Sequence, residues 1–110
     1  MRKLMMSTIV AVILASLSCE PGLAADLKAG KAIYDKACKS CHGADGTPNL
    51  AVQKALKVQM WDLKSKEVQS RSDADLRKVD VEGEGKMKPV SGITGAAVDD
   101  LLAYVRSLGK

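Results

Sequence analysis

Apolar residues recur at steps of three and four in two segments of the chain, and this spacing predicts an amphipathic helix in each. The first helix is predicted over residues 26–39, with Asp26 as its N-cap. The second is predicted to begin at Thr94 as its cap and to run to the C-terminus, where Arg106 and Lys110 suit the helix dipole. The apolar positions are Leu27, Gly30, Tyr34, Ala37 and Cys41 in the first helix, and Val98, Leu101, Leu102, Val105 and Leu108 in the second.

The segment between these helices has a weaker pattern. Its Gly, Asp, Asn and Pro residues predict loops over residues 43–49 and 82–92. A short helix is predicted over residues 50–58, and another is predicted to open at Ser72 and to end before Gly83. No segment has the alternation typical of a strand. We therefore predict an all-α fold.

The first residues have the order of a secretory signal peptide. A basic start is followed by an apolar run over residues 9–17 and by small residues at Ala24 and Ala25. The run is shorter than the roughly 20 residues that span a membrane, so a retained anchor helix is the weaker alternative. We expect a cleaved signal over residues 1–25, one exported, periplasmic domain over residues 26–110, and no transmembrane span in the mature chain.

The chain has three cysteines. Cys19 falls within the predicted signal and is either lost with it or lipidated, although Leu17 stands one place too close for the usual lipoprotein pattern. Cys38 and Cys41 remain. In an oxidising compartment such a pair is expected in a disulfide, in a metal site or in a covalent bond to another group.

The two remaining cysteines belong to the motif C-x-x-C-H, which ends at the chain's only histidine, His42. A structural zinc site would need a fourth ligand, which here could only be a carboxylate. A thiol oxidoreductase would place C-x-x-C near a strand–helix unit, and no strand is predicted. The motif is also the one that attaches haem, with both thiols forming thioethers and the imidazole binding iron. Cys38 and Cys41 stand close to one helical turn apart, which favours haem.

A second iron ligand would decide what the haem does. Methionine opposite histidine fills the sixth position and raises the reduction potential. Met60 stands beside Trp61 in an apolar segment and is interpreted as a core residue. Met87 stands in a polar, glycine-bounded loop just before Pro89. We therefore predict Met87 as the ligand.

The sequence resembles a small bacterial class I cytochrome c over nearly the whole predicted domain. The similar stretches are residues 29–43, 83–90 and 101–108. The resemblance implies an all-α fold in which the N- and C-terminal helices cross and short helices and loops surround one covalent haem c with its iron. It implies thioethers at Cys38 and Cys41, with His42 as the proximal iron ligand and Met87 as the distal one.

The resemblance also implies roles for residues outside the motif. Gly30 and Tyr34 match positions on the family's N-terminal helix, and Leu101 and Tyr104 match their partners on the C-terminal helix. The Pro48 carbonyl is expected to accept a hydrogen bond from the proximal histidine, which would fix its ring. For Trp61, a hydrogen bond to a haem propionate and simple packing both stay open.

The predicted function is one-electron transfer in the periplasm, without catalytic residues and thus without enzymatic activity. The alternative is a haem-based binder or sensor of small ligands with a labile sixth ligand. A catalytic haem protein would need a distal histidine, and His42 is the only histidine. A subunit of a larger oxidase or dehydrogenase would still transfer electrons.

The expected partners are redox proteins, with donor and acceptor unidentified. The formal net charge is +4, and no basic run with interleaved aromatics is present, so we expect no nucleic-acid partner. Lys39, Lys86 and Lys88 would lie near the exposed haem edge, where they either steer an acidic docking surface or are ordinary solvated charges. We expect a monomer.

Overall fold

The protein is described by a computed structural model that covers residues 25–110. The predicted signal sequence up to Ala24, and Cys19 within it, lie outside these residues and stay predictions. Within the described range the chain forms helices joined by loops, with no strand beyond one isolated bridge between Glu84 and Met87. The helices are α1 (Leu27–Ala37), α2 (Lys39–His42), α3 (Leu50–Leu56), α4 (Lys66–Gln69), α5 (Asp73–Glu82) and α6 (Ala96–Leu108).

The two terminal helices, α1 and α6, pack against each other. Tyr34 and Leu101 are fully buried between them, and Cys38 and Val105 complete this core cluster. The Tyr34 ring lies 5.1 Å from that of Tyr104 at a tilt of 57°, a separation favourable for aromatic pairs. We call the contact formed by Gly30, Tyr34, Leu101 and Tyr104 the terminal-helix interface.

Gly30 lets the backbones of α1 and α6 come together. A Cβ at this position would overlap the Asp100 carbonyl and would lie 3.0 Å from the Tyr104 Cβ. Next to it, the Asp26 N–H donates to the Asp100 Oδ1 over 2.8 Å. The glycine therefore weakens the helix, but it allows the two helices to approach more closely than any side chain at this position would permit.

A second cluster lies between α4, α5 and α6. It contains Val68, Leu76 and Leu102, with the half-buried Leu63 against it. Leu101 and Leu102 are neighbours in sequence, yet each belongs to a different cluster, so α6 contributes to both. None of the helices within residues 25–110 combines the length and apolar character needed to cross a bilayer.

The predicted caps are confirmed at Asp26, whose Oδ1 accepts from the N–H groups of Lys28 and Ala29, and at Ser72, whose side chain accepts from the Asp75 N–H. The prediction of Thr94 as the cap of the last helix is wrong. Gly95 holds that position and makes no side-chain cap bond, so α6 begins without the capping interaction that Ser or Thr supplies.

Two further predictions needed correction. The first helix ends at Ala37, because Cys38 leaves the regular helix with φ −118° and ψ −35°. Leu27 and Ala37 are exposed, so the buried side of α1 is narrower than the predicted apolar face. In the middle of the chain, a short helix, α4, forms where the sequence had too little periodicity to predict one.

Candidate functional site

The C-x-x-C-H motif forms a single tight turn at the junction of α1 and α2. The Cys38 carbonyl accepts the N–H of Cys41 over 3.2 Å and that of His42 over 2.9 Å. The two cysteines therefore stand one turn apart, as their spacing predicts. The Cys38 side chain is buried against the terminal-helix core, whereas Cys41 is half-buried.

The imidazole of His42 is half-buried. Its Nδ1 is buried and has no hydrogen-bond partner. Its contacts in this structure do not include the Pro48 carbonyl, and the role that the resemblance implies for Pro48 stays a prediction. Burial lowers the pKa of His42 below its ordinary value, because a charged ring is poorly solvated there. The neutral imidazole is the form that binds a metal.

Asn49, rather than Pro48, ties the following loop to the motif. Its N–H donates to the Cys41 carbonyl over 2.8 Å, and its side-chain amide donates to the Ser40 carbonyl over 3.3 Å. The same side chain caps α3 through the N–H groups of Ala51 and Val52. Asn49 was not predicted as a site residue, although an asparagine directly before a helical segment is a standard N-cap signal.

Helix α3 connects the motif to the loop that contains Met87. Its first end is held to Cys41 by Asn49. At its other end, the Leu56 carbonyl accepts a hydrogen bond of 2.6 Å from the Lys86 Nζ. Seven helical residues span about 10 Å. The segments of the two predicted iron ligands therefore lie at opposite ends of one short helix.

The exposed apolar side chains of α3 fit a bound apolar group. None of the residues of α3 is buried against the described part of the chain, and Leu50 and Leu56 are 73 % and 39 % exposed. Val81 on α5 is exposed as well. A short helix with free leucines is poorly stabilised on its own. Together with the buried, unpartnered His42 Nδ1, these side chains suit the flat apolar macrocycle that the motif predicts.

Tyr34 has a second role that the sequence did not reveal. Its hydroxyl donates to the Gly43 carbonyl over 2.6 Å, directly after the motif. Burial raises the pKa of Tyr34 above its ordinary value, so the hydroxyl stays protonated and keeps donating. One residue thus joins the terminal-helix interface to the segment that carries His42.

Residues 83–90, which we call the ligand loop, place Met87 next to a tight turn. Glu84 and Met87 exchange two backbone hydrogen bonds, of 3.0 Å and 2.9 Å. Gly83 has φ +80°, and a Cβ there would lie 2.5 Å from the Met87 carbonyl oxygen. A hydrogen bond of 2.9 Å from the Val90 N–H to the Asp80 carbonyl closes the loop onto α5. Met87 itself is half-buried.

The other two residues singled out in the sequence lie elsewhere on the middle segment. Met60 is half-buried, and its N–H donates to the Gln53 Oε1 over 2.8 Å. Trp61 is 57 % exposed and lines a cavity of about 240 Å³ together with Glu67, Val68 and Arg71. Both roles considered for Trp61 stay open.

Cys38 lacks the electrostatics of a reactive thiol. Burial, helped by the nearby charges of Asp80 and Cys41, raises the pKa of the Cys38 thiol to about 12. Reactive thiols have a lowered pKa instead. Among residues 25–110 no group of three or more His, Cys, Asp or Glu side chains is arranged to hold a metal ion. A thioether at Cys38 would remove the buried thiol altogether.

The comparison with known families agrees with this geometry. The family model for Cytochrome c matches residues 27–109, which runs from the start of α1 to the end of α6 and includes the whole motif. No curated protein matches the chain. The family implies covalently bound haem c with its iron, and its members typically carry electrons. With most of its length matched, the chain belongs to the cytochrome c family.

Proposed function

We propose that the protein is a periplasmic one-electron carrier with one haem c, held by Cys38 and Cys41 and ligated by His42 and Met87. The observation that carries this proposal is the position of α3, which joins the turn of the motif to the ligand loop. These residues would hold the haem, which when bound would supply the one-electron redox chemistry.

The residues of this chain hold the two ligand segments in place. The Cys38 carbonyl fixes the turn of His42, and the Tyr34 hydroxyl fixes the carbonyl that follows it. Met87 is held by its paired backbone bonds to Glu84. Ligands held in this way would move little on reduction of a haem bound here, and the apolar side chains of α3 would cover that haem against water.

The proposed partners are redox proteins that present an acidic surface to the exposed lysines Lys39, Lys86 and Lys88. The Lys86 Nζ also donates to the Leu56 carbonyl, so its charge stands at the end of α3. We further propose that the mature protein acts as a monomer and catalyses no reaction of its own.

Covalent attachment is tested by acid–acetone extraction of the purified protein. We expect the haem to stay with the polypeptide. Haem released into the solvent would contradict the thioethers at Cys38 and Cys41.

Methionine ligation is tested by the near-infrared charge-transfer band of the ferric protein. We expect this band in the unmodified protein and in Met60→Ala, and we expect its loss in Met87→Ala. If the band is retained in Met87→Ala and lost in Met60→Ala, Met60 is the ligand and the assignment of Met87 is wrong.

Carbon monoxide separates electron transfer from ligand sensing. A retained methionine leaves no open site, so the ferrous protein should bind carbon monoxide poorly at neutral pH. Rapid and tight binding would favour the sensor.

A further inference from the structure

The ligand loop is held from one side by an arginine that binds two carboxylates. The Arg71 guanidinium donates to both carboxylate oxygens of Glu84, over 3.2 Å and 3.3 Å, and its Nε donates to the Asp75 Oδ2 over 2.7 Å. The Arg71 side chain is only 27 % exposed. A two-pronged arginine–carboxylate contact fixes orientation as well as distance, which a single lysine contact does not do.

Glu84 is the residue through which this contact reaches the predicted ligand. Its N–H and its carbonyl are both bonded to the backbone of Met87. A displacement of Glu84 therefore displaces Met87 directly, with only Gly85 and Lys86 between them in the turn.

Arg71 is itself held to the C-terminal helix. Its carbonyl accepts a hydrogen bond of 2.6 Å from the guanidinium of Arg106, which also donates to the Gln69 carbonyl and to the Asp73 carboxylate, each over 2.7 Å. Arg106 stands on α6. A continuous set of polar contacts thus runs from α6 through Arg71 and Glu84 to the ligand loop.

We propose that Arg71 and Glu84 are positioning residues that keep Met87 in place as an iron ligand. The inference rests on the proposed function, because it takes Met87 as the ligand. An ordinary surface ion pair contributes little to overall stability. A loop opens locally at a much lower cost than the whole fold, so the same pair has a larger effect on how often Met87 leaves the iron.

Imidazole competition measures this effect in the haem-loaded protein. Free imidazole binds ferric iron only when the methionine leaves, so its apparent affinity reports the open population. We expect Glu84→Gln and Arg71→Lys each to tighten imidazole binding by about fivefold and to keep the near-infrared band in the absence of imidazole. The double variant should tighten imidazole binding by less than the product of the two single effects, since both substitutions weaken the same contact.

The matched control is Asp35→Asn. It weakens the exposed pair of Lys31 and Asp35, which has the 2.7 Å distance of the Arg71–Asp75 pair but lies on α1. We expect this control to leave imidazole affinity unchanged. Denaturant unfolding of each variant shows whether a change in affinity comes from the loop or from general destabilisation.

Two different results would overturn the inference. If Met87→Ala loses the band while Glu84→Gln binds imidazole like the unmodified protein, Met87 is the ligand but is not positioned by this contact. If Met87→Ala keeps the band, the ligand assignment itself is wrong and the positioning role is wrong with it.

Discussion

The terminal-helix interface and the ligand loop are stabilised by different kinds of contact. In the interface, Tyr34 and Leu101 are fully buried, and the contact depends on shape. In the ligand loop, Glu84 is exposed and Met87 is half-buried, and the contacts are backbone hydrogen bonds and ion pairs. We therefore expect the interface to dominate the global free energy of unfolding and the loop to control the position of Met87, the predicted ligand.

Because of this difference, we expect variants in the interface to change global stability and variants in the loop to change how firmly Met87 is held. Buried, tightly packed contacts change the global free energy of unfolding when they are altered. Exposed polar contacts change it little, but they set local opening. Tyr34 makes both kinds of contact, because its ring lies in the interface and its hydroxyl donates to the Gly43 carbonyl, which follows the C-x-x-C-H motif and lies outside the ligand loop.

Gly30→Ala is expected to have the largest effect. The added Cβ overlaps the Asp100 carbonyl, and forcing the helices apart should lower the free energy of unfolding by about 3 kcal/mol. This loss opposes the gain of about 1 kcal/mol that alanine brings to a helix. Denaturant unfolding of the haem-loaded protein measures it. In the control Ala32→Gly, on the exposed side of α1, the free energy of unfolding should fall by only about 1 kcal/mol, because glycine has a lower helix propensity than alanine. Equal or greater stability of Gly30→Ala would contradict the close crossing.

Tyr34→Phe tests the residue that links the terminal-helix interface to the segment that follows His42. The ring is kept, but the Gly43 carbonyl loses its donor, and we expect a loss of about 1.5 kcal/mol in the free energy of unfolding. Imidazole affinity should also rise for the ferric protein, because the segment behind His42 loosens. Tyr104→Phe keeps the Gly43 contact and serves as the control. A stability loss without any change at the haem would restrict Tyr34 to the interface.

The sequence predicted the interface better than the loop for a physical reason. Helix packing depends on apolar residues at regular spacing, so Tyr34 and Leu101 could be identified without coordinates. Gly30 falls in the same regular spacing, and a glycine on an apolar helix face weakens the helix unless another backbone comes close.

The polar contacts around the site could not be predicted in this way. Arg71 and Glu84 are separated by a whole helix, and no local pattern pairs one surface arginine with one of many surface carboxylates. The bond from Tyr34 to Gly43 depends on where α1 ends, and that end was predicted at the wrong residue. Asn49 has a recognisable capping pattern, but its bonds to the Ser40 and Cys41 carbonyls depend on the turn of the motif.

Asp80→Asn tests the electrostatics beside the ligand loop. Burial raises the pKa of the Asp80 carboxyl to about 6. The folded state thus holds this proton more tightly than the unfolded state, and its contribution to stability falls as the pH rises from about 4 to above 6. Relative to the unmodified protein, Asp80→Asn should therefore gain on the order of 1 kcal/mol between pH 4 and pH 7.

The control for Asp80 is Asp75, which lies on the same helix and has a pKa shift in the opposite direction. The hydrogen bond from Arg71 lowers the pKa of Asp75, so its contribution to stability is nearly complete above about pH 4 and is lost at lower pH. Asp75→Asn should therefore be less stable than the unmodified protein by an amount that stays nearly constant between pH 4 and pH 7. Denaturant unfolding at several pH values measures both variants. A parallel pH dependence of the two variants would contradict the burial of the Asp80 carboxyl.

Lys57→Gly is expected to have the smallest effect, and it tests the helix that joins the two ligand segments. Lys57 ends α3 in the left-handed conformation, with φ 53°, and its N–H bonds to the carbonyls of Gln53 and Lys54. Glycine adopts this conformation without the clash of a Cβ, so the free energy of unfolding should rise by about 0.5 kcal/mol after the greater entropy of the unfolded chain is subtracted. Lys54→Gly, inside α3, should instead lower the free energy of unfolding by about 1 kcal/mol.

The two variants should also change imidazole binding. Because α3 holds the Leu56 carbonyl against Lys86, Lys57→Gly should weaken imidazole binding slightly and Lys54→Gly should strengthen it. If both variants change stability as expected but leave imidazole affinity unaltered, α3 does not hold the ligand loop in place.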